Sequence, residues 1–242
     1  MTLQAPSFAS RFAGRYDRQF YTGIALVVAV TVFAGFAPTY FLRARFQSTP
    51  LPLYLHVHGL LFTSWIALFV VQTGLIASRR VDVHRRLGLV AAGLAVAMVC
   101  AGTAAGILSM RREVAAGHEE EARTFLTTPL LSMVVFAALV AAALWYRRRP
   151  QTHKRLMLLA TISLLDAPIA RLPFAIVSAT TWGFYVFTDL FLVAAILYDI
   201  VTRRRVEKAY AWGMLVIVIG QLLRTPLGET MAWHAFARAL IG

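Results

Sequence analysis

The sequence predicts an all-α polytopic membrane protein: a single-domain bundle of seven transmembrane helices, N-terminus cytoplasmic and C-terminus outside. Three observations lead there. The chain has 242 residues, 59% of them hydrophobic and only 14% charged, with a mean hydropathy of +0.68. A soluble domain is about half apolar and about a quarter charged. Seven apolar runs approach or exceed the roughly 20 residues that cross a bilayer as a helix. The Lys and Arg residues fall in short clusters between those runs. In a soluble chain a net charge of +13 would point to nucleic acid. Clustered at run ends, it marks membrane flanks and excludes a nucleic-acid partner.

The runs cover residues 20–42, 52–78, 87–109, 127–146, 156–178, 183–201 and 209–226. The first is too long for the apolar part of a signal peptide and reads as a retained span. The fifth and sixth share a very short connection at residues 180–182. The seventh is interrupted at its outer end by Arg224 and Pro226. Residues 1–19 mix aromatic side chains with arginine and are expected at the headgroup boundary. Residues 227–242 are expected to hold an outer interfacial helix. The acidic loop at 112–125 is a third short-helix candidate. The one cysteine, Cys100, lies inside an apolar run, so no intramolecular disulfide forms.

Orientation follows from the bias of basic residues. With seven spans, sixteen Lys and Arg residues lie on the side of the N-terminus and seven on the other. Arg171 is the remaining one, inside the fifth run. This bias places the N-terminus inside and implies the inner membrane of a bacterium, multi-pass.

An internal repeat accompanies the bias. RRVDVHRRLGL (79–89) returns as RRPQTHKRLML (148–158), each at the inner start of a span. A degraded copy, RRVEKAYAWGML (204–215), carries Ala209 in place of the histidine. Spans 2–3, 4–5 and 6–7 are therefore expected to be three related hairpins. The arginines of the first two copies, Arg79, Arg80, Arg85, Arg86, Arg148, Arg149 and Arg155, form a collar suited to anionic lipid headgroups. His84 and His153 within them are candidate ligands for haem or a transition metal. The competing reading makes them interfacial residues at helix starts, and the surrounding cations oppose a bare metal ion.

Deeper polar residues carry the stronger signal, because an ionisable group inside the hydrocarbon costs at least about 2.5–3.5 kcal/mol. Asp166, Arg171 and Asp189 lie inside spans 5 and 6. Arg171 and Asp189 are at one depth, which makes them the expected ion pair. On span 2, steps of seven residues link His58, Trp65 and Gln72 along one stripe. His56 lies about 160° round the helix from His58, so both cannot face one pocket. Thr103, Ser132 and Gln221 bring further polar groups to the outer half. The level placement predicts a polar pocket there, lined by His58, Trp65, Gln72, Asp166, Arg171 and Asp189. The alternative is a buried network that only fixes helix packing. His58 is also a third candidate haem or metal ligand. His118 with Glu119, Glu120 and Glu121, and His234, lack the spacing of a zinc site.

One resemblance rests on these residues. Trp65, Gln72 and the string HRRLG (84–88), followed by HKRLM (153–157) and Arg171, resemble a group of bacterial multi-pass membrane proteins of uncharacterised function. In that group an H-R-x-L-G element precedes an H-x-R-x-M element. The likeness spans roughly residues 52–175 and implies an integral membrane protein without naming a reaction. Seven spans with an inside N-terminus also resemble the architecture of progestin-receptor-like and haemolysin III-like zinc hydrolases, whose paired H-x-x-x-H ligands this chain lacks. Three readings result: a membrane protein binding a small lipophilic ligand in an outer polar pocket, a haem- or metal-binding membrane redox protein, and an assembly or structural subunit of a membrane complex.

Overall fold

The structure is a computed structural model; it describes residues 8–174 and 183–240, with side-chain surroundings from residue 16 onward. Among the described residues every regular element is helical: α1 (Phe8–Phe36), α2 (Arg43–Phe46), α3 (Leu53–Ala77), α4 (Val81–Ala115), α5 (Glu119–Phe125), α6 (Thr127–Trp145), α7 (Pro150–Ile162), α8 (Asp166–Ile169), α9 (Gly183–Arg203), α10 (Lys208–Gly228) and α11 (Met231–Ala239). A π-helical turn, Ala37–Phe41, extends α1. It contains Pro38, whose missing N–H prevents regular α-helical bonding.

Six helical stretches are long and apolar enough to cross a membrane: Tyr16–Phe41, Leu53–Ala77, Val81–Ala115, Glu119–Trp145, Gly183–Arg203 and Lys208–Gly228. They match six of the seven expected runs. Their outward faces carry large apolar side chains, among them Leu53, Leu89, Val96, Trp145 and Val201. Such side chains on a helix with an apolar opposite face fit a lipid surroundings rather than water.

The expected fifth span is not one continuous helix. Helix α7 stops at Ile162, a tight turn covers Ser163–Leu165, and α8 adds four residues. Leu164 and Leu165 bond back to Thr161 and Ile162, three residues away. Pro168 supplies no N–H for the Leu164 carbonyl, which removes the bond that would continue the helix. Residues 175–178 of this run, and the connection at 180–182, lie outside the described residues.

The broken element is the most enclosed part of the bundle. Leu158, Leu159, Ala160, Ile162, Leu165 and Ile169 have no exposed surface. Helices α6, α9 and α10 pack along α7, while α1 packs on α8. At that last contact Gly35 comes so close that an added Cβ would collide with the Pro168 carbonyl.

Residues 8–19 are helical and continuous with the first membrane-crossing stretch, α1 running unbroken from Phe8. The last element, α11, packs on α5. Its Trp233 indole donates to the Arg123 carbonyl at 2.8 Å, and Thr230 caps its first turn. The hairpin turns after α3 and α9 share a feature. Arg79 (φ 63°) and Arg204 (φ 56°), the first residues of two repeat copies, both adopt the left-handed conformation. Arg148, in the copy containing Pro150, does not.

Candidate functional site

Two layers of buried charge flank the middle of α7–α8. The first lies where α1, α7, α9 and α10 meet. Arg155 and Asp199 have no exposed surface and form a two-pronged pair, Arg155 Nε donating to Asp199 Oδ2 at 2.9 Å and Nη2 to Oδ1 at 2.5 Å. Arg155 Nη1 also donates to the carbonyl and side-chain oxygens of Gln151, at 2.7 and 3.0 Å. The guanidinium lies 5.3 Å from the Tyr210 ring centroid. Tyr210 and Tyr21 share a hydroxyl–hydroxyl bond of 3.1 Å. Beside them Asp17 accepts from Lys154 (2.6 Å), Arg203 (2.7 Å) and Tyr198 (2.8 Å).

This layer corrects the expectation for Arg155. It is not part of a headgroup-facing collar: helical phase turns it inward, and a carboxylate on α9 receives it. Arg79, Arg80, Arg85, Arg86, Arg148 and Arg149 are exposed at the same end of their helices.

The second layer joins α6, α8, α9 and α10. Arg224 Nη1 donates to Asp166 Oδ2 at 2.8 Å and to the Tyr185 hydroxyl at 3.1 Å, and Nη2 donates to Ser132 Oγ at 3.0 Å. Arg224 and Asp166 are both buried. Next to them Gln221 donates to Asp189 Oδ1 at 3.2 Å. The Thr188 and Gln221 side chains lie beside the Asp166 carboxylate, while Arg224 Nε has no hydrogen-bond partner among the described residues.

The expected pairing of Arg171 with Asp189 is absent among the described residues. Because the chain turns at Ser163–Leu165, Arg171 follows α8 into an exposed position. Its Nη1 donates to the Ala167 carbonyl at 2.6 Å, and the guanidinium lies 5.0 Å from the Phe36 ring centroid. Arg224, read in the sequence as an interruption of the seventh span, takes the place opposite an aspartate.

The stripe on α3 does not converge on one site. His58 stacks on Phe62, with centroids 4.0 Å apart, and its Nδ1 is buried without a partner among the described residues. Trp65 is buried, donates to Thr161 at 3.3 Å and meets Phe136 edge-on at 5.0 Å. Gln72 donates to the backbone carbonyl of His84 at 3.3 Å. Fourteen residues separate His58 from Gln72, about 21 Å along a helix. They occupy opposite ends of α3.

His84 and His153 do come together. Their ring centroids are 6.4 Å apart with planes at 80°. His153 Nδ1 lies 2.8 Å from the Ala143 carbonyl. Separately, Gln19, Phe20, Gly23, Val27, Leu190 and Phe191 help line an apolar groove between α1 and α9. None of the expected pocket residues lines that groove. No cluster of three or more metal-ligating side chains occurs among the described residues.

Six apolar helices around paired charges define the class: an all-helical integral membrane protein, built to contact a bilayer. Comparison of the chain with protein-family models, curated proteins and solved structures finds no match.

Proposed function

We propose that this chain is a seven-pass protein of a bacterial inner membrane, N-terminus inside, with a polar ligand site in its outer half centred on Asp166 and Arg224. The supporting observation is the second charge layer. A buried acid and base are held by four helices, with the Thr188 and Gln221 side chains beside the carboxylate and Arg224 Nε left without a partner among the described residues. Native interiors rarely leave such atoms unpaired. A lipophilic molecule with a polar head that accepts a hydrogen bond from Arg224 Nε, such as a quinone or quinol, matches that group. The seventh crossing is α7–α8. Its start meets α9 through Arg155–Asp199, and its far end meets α10 through Asp166–Arg224. The haem reading has its own basis in the two repeat histidines.

The test measures binding of a short-chain quinol, and of the matching quinone, to the protein in lipid nanodiscs. The double variant Asp166→Leu with Arg224→Met removes the pair without leaving a lone buried charge, a change often neutral for stability. Wild type should bind at least tenfold more tightly than the folded double variant. Equal binding, or none by wild type, rejects the site.

A further inference from the structure

His84 is the fourth residue of α4 and His153 the fourth of α7, so the repeat delivers both side chains to one corner of the bundle. We infer that His84 and His153 are the two axial ligands of a b-type haem held at this basic end. The inference does not depend on the outer site.

Spacing carries the first part of the argument. With metal–imidazole bonds of about 2.0–2.1 Å, two imidazoles trans on one metal have centroids about 6 Å apart, and two at a tetrahedral angle about 5 Å. The observed 6.4 Å fits the trans arrangement. Trans ligation by two histidines leaves the other positions of the metal to a planar macrocycle. A structural zinc site would instead need a tetrahedral set of four ligands, and the described residues hold no such set.

Tautomer and hydrogen bonding carry the second part. A carbonyl only accepts, so His153 Nδ1 must bear the proton it donates to Ala143. That leaves the Nε2 lone pair free. A ligating histidine whose other nitrogen is fixed by a carbonyl is the usual arrangement in metal sites. In the same corner the His84 ring reaches the Gln72 backbone carbonyl, and Gln72 Oε1 is buried without a partner among the described residues. Gln72 meanwhile holds the His84 backbone carbonyl. One helical turn beyond His84, on the same face, an added Cβ at Gly88 would make ordinary contact with the Gln72 amide nitrogen, at 3.9 Å.

Charge selects the cofactor. Arg79, Arg80, Arg85, Arg86, Arg148 and Arg149 surround the two histidines in sequence and are exposed. They would repel a bare divalent cation. They suit a haem, because its two propionates carry negative charge and pair with guanidinium groups.

The test is a titration of the full-length protein, purified in mild detergent, with ferric haem, followed by absorption and electron paramagnetic resonance. The expected result is one haem per chain with the spectrum of a six-coordinate, low-spin iron. His84→Ala and His153→Ala should each lose that signature and weaken haem binding at least tenfold. Added imidazole should restore the low-spin spectrum in either variant. Gly88→Leu keeps both ligands and adds bulk against Gln72 one turn from His84, so it should weaken haem binding even though the histidines remain. Gly23→Ala, on α1 and clear of both histidine helices, should bind haem like wild type. Failure of wild type to give a low-spin spectrum overturns the assignment. So does an unchanged spectrum in the variant lacking both histidines, or stoichiometric binding of zinc or copper in preference to haem.

Discussion

Arg224 Nη1 lies 2.8 Å from Asp166 Oδ2, across 58 residues of sequence and inside an apolar bundle. Removing one partner leaves a buried unpaired charge, which typically costs about 3–5 kcal/mol. Asp166→Asn and Arg224→Gln should each lower thermal stability by that order. The apolar double variant described above should return to within about 1–2 kcal/mol of wild type. Thermal unfolding in detergent, arranged as a double-mutant cycle, measures the coupling. Additive losses would show that the pair is not an energetic unit.

The Arg155–Asp199 pair depends on shape as well as charge. Both Nε and Nη2 reach the carboxylate, while Nη1 serves Gln151. Lysine keeps the charge but cannot reproduce that fork. Arg155→Lys should therefore cost about 2 kcal/mol or more, the scale of lost charge-assisted hydrogen bonds. Lys154→Ala should cost about 1 kcal/mol or less, because Lys154 is partly exposed and Arg203 and Tyr198 still hold Asp17. Equal losses in the two variants would contradict the geometry.

Two glycines of α1 should respond in opposite directions. An added Cβ at Gly35 would lie 2.1 Å from the Pro168 carbonyl oxygen, backbone that cannot step aside. Gly35→Ala should destabilise by about 1–3 kcal/mol, the usual cost of overpacking. At Gly23 nothing lies within 4 Å of the added atom. Gly23→Ala should stabilise by about 0.5–1 kcal/mol through helix propensity. Melting temperatures of the two variants give the comparison directly.

Topology is testable by cysteine labelling in a Cys100→Ser background. His118, Arg148 and Arg205 are all exposed and lie in three different connections. In intact cells His118→Cys should react with a membrane-impermeant maleimide. Arg148→Cys and Arg205→Cys should react only after permeabilisation. Between positions 148 and 205 the chain contains α7–α8 and α9. If α7–α8 did not cross, these two positions would label from opposite sides.

Sequence alone determined the helical class and six of the spans, because each stretch is set by local composition. About twenty apolar residues in a row admit one backbone solution in a bilayer. It also marked Asp166 and Asp189 as notable, since buried carboxyls are costly wherever they sit. It determined the repeat, including the matching positions of His84 and His153.

Tertiary structure decided the partners. Asp166 pairs with Arg224 rather than leaving Arg171 to bridge the helices, because the turn at Ser163–Leu165 changes the direction of everything after it. Arg155 looked like one more member of a basic collar; only the position of Asp199 on α9 shows that it faces inward. His58 and Gln72 share a helical stripe yet reach opposite ends of the bundle, because a shared face does not imply a shared depth. The approach of His84 and His153 depends on how the α3–α4 and α6–α7 hairpins pack. That packing arises from long-range contacts, which periodicity along the chain does not encode.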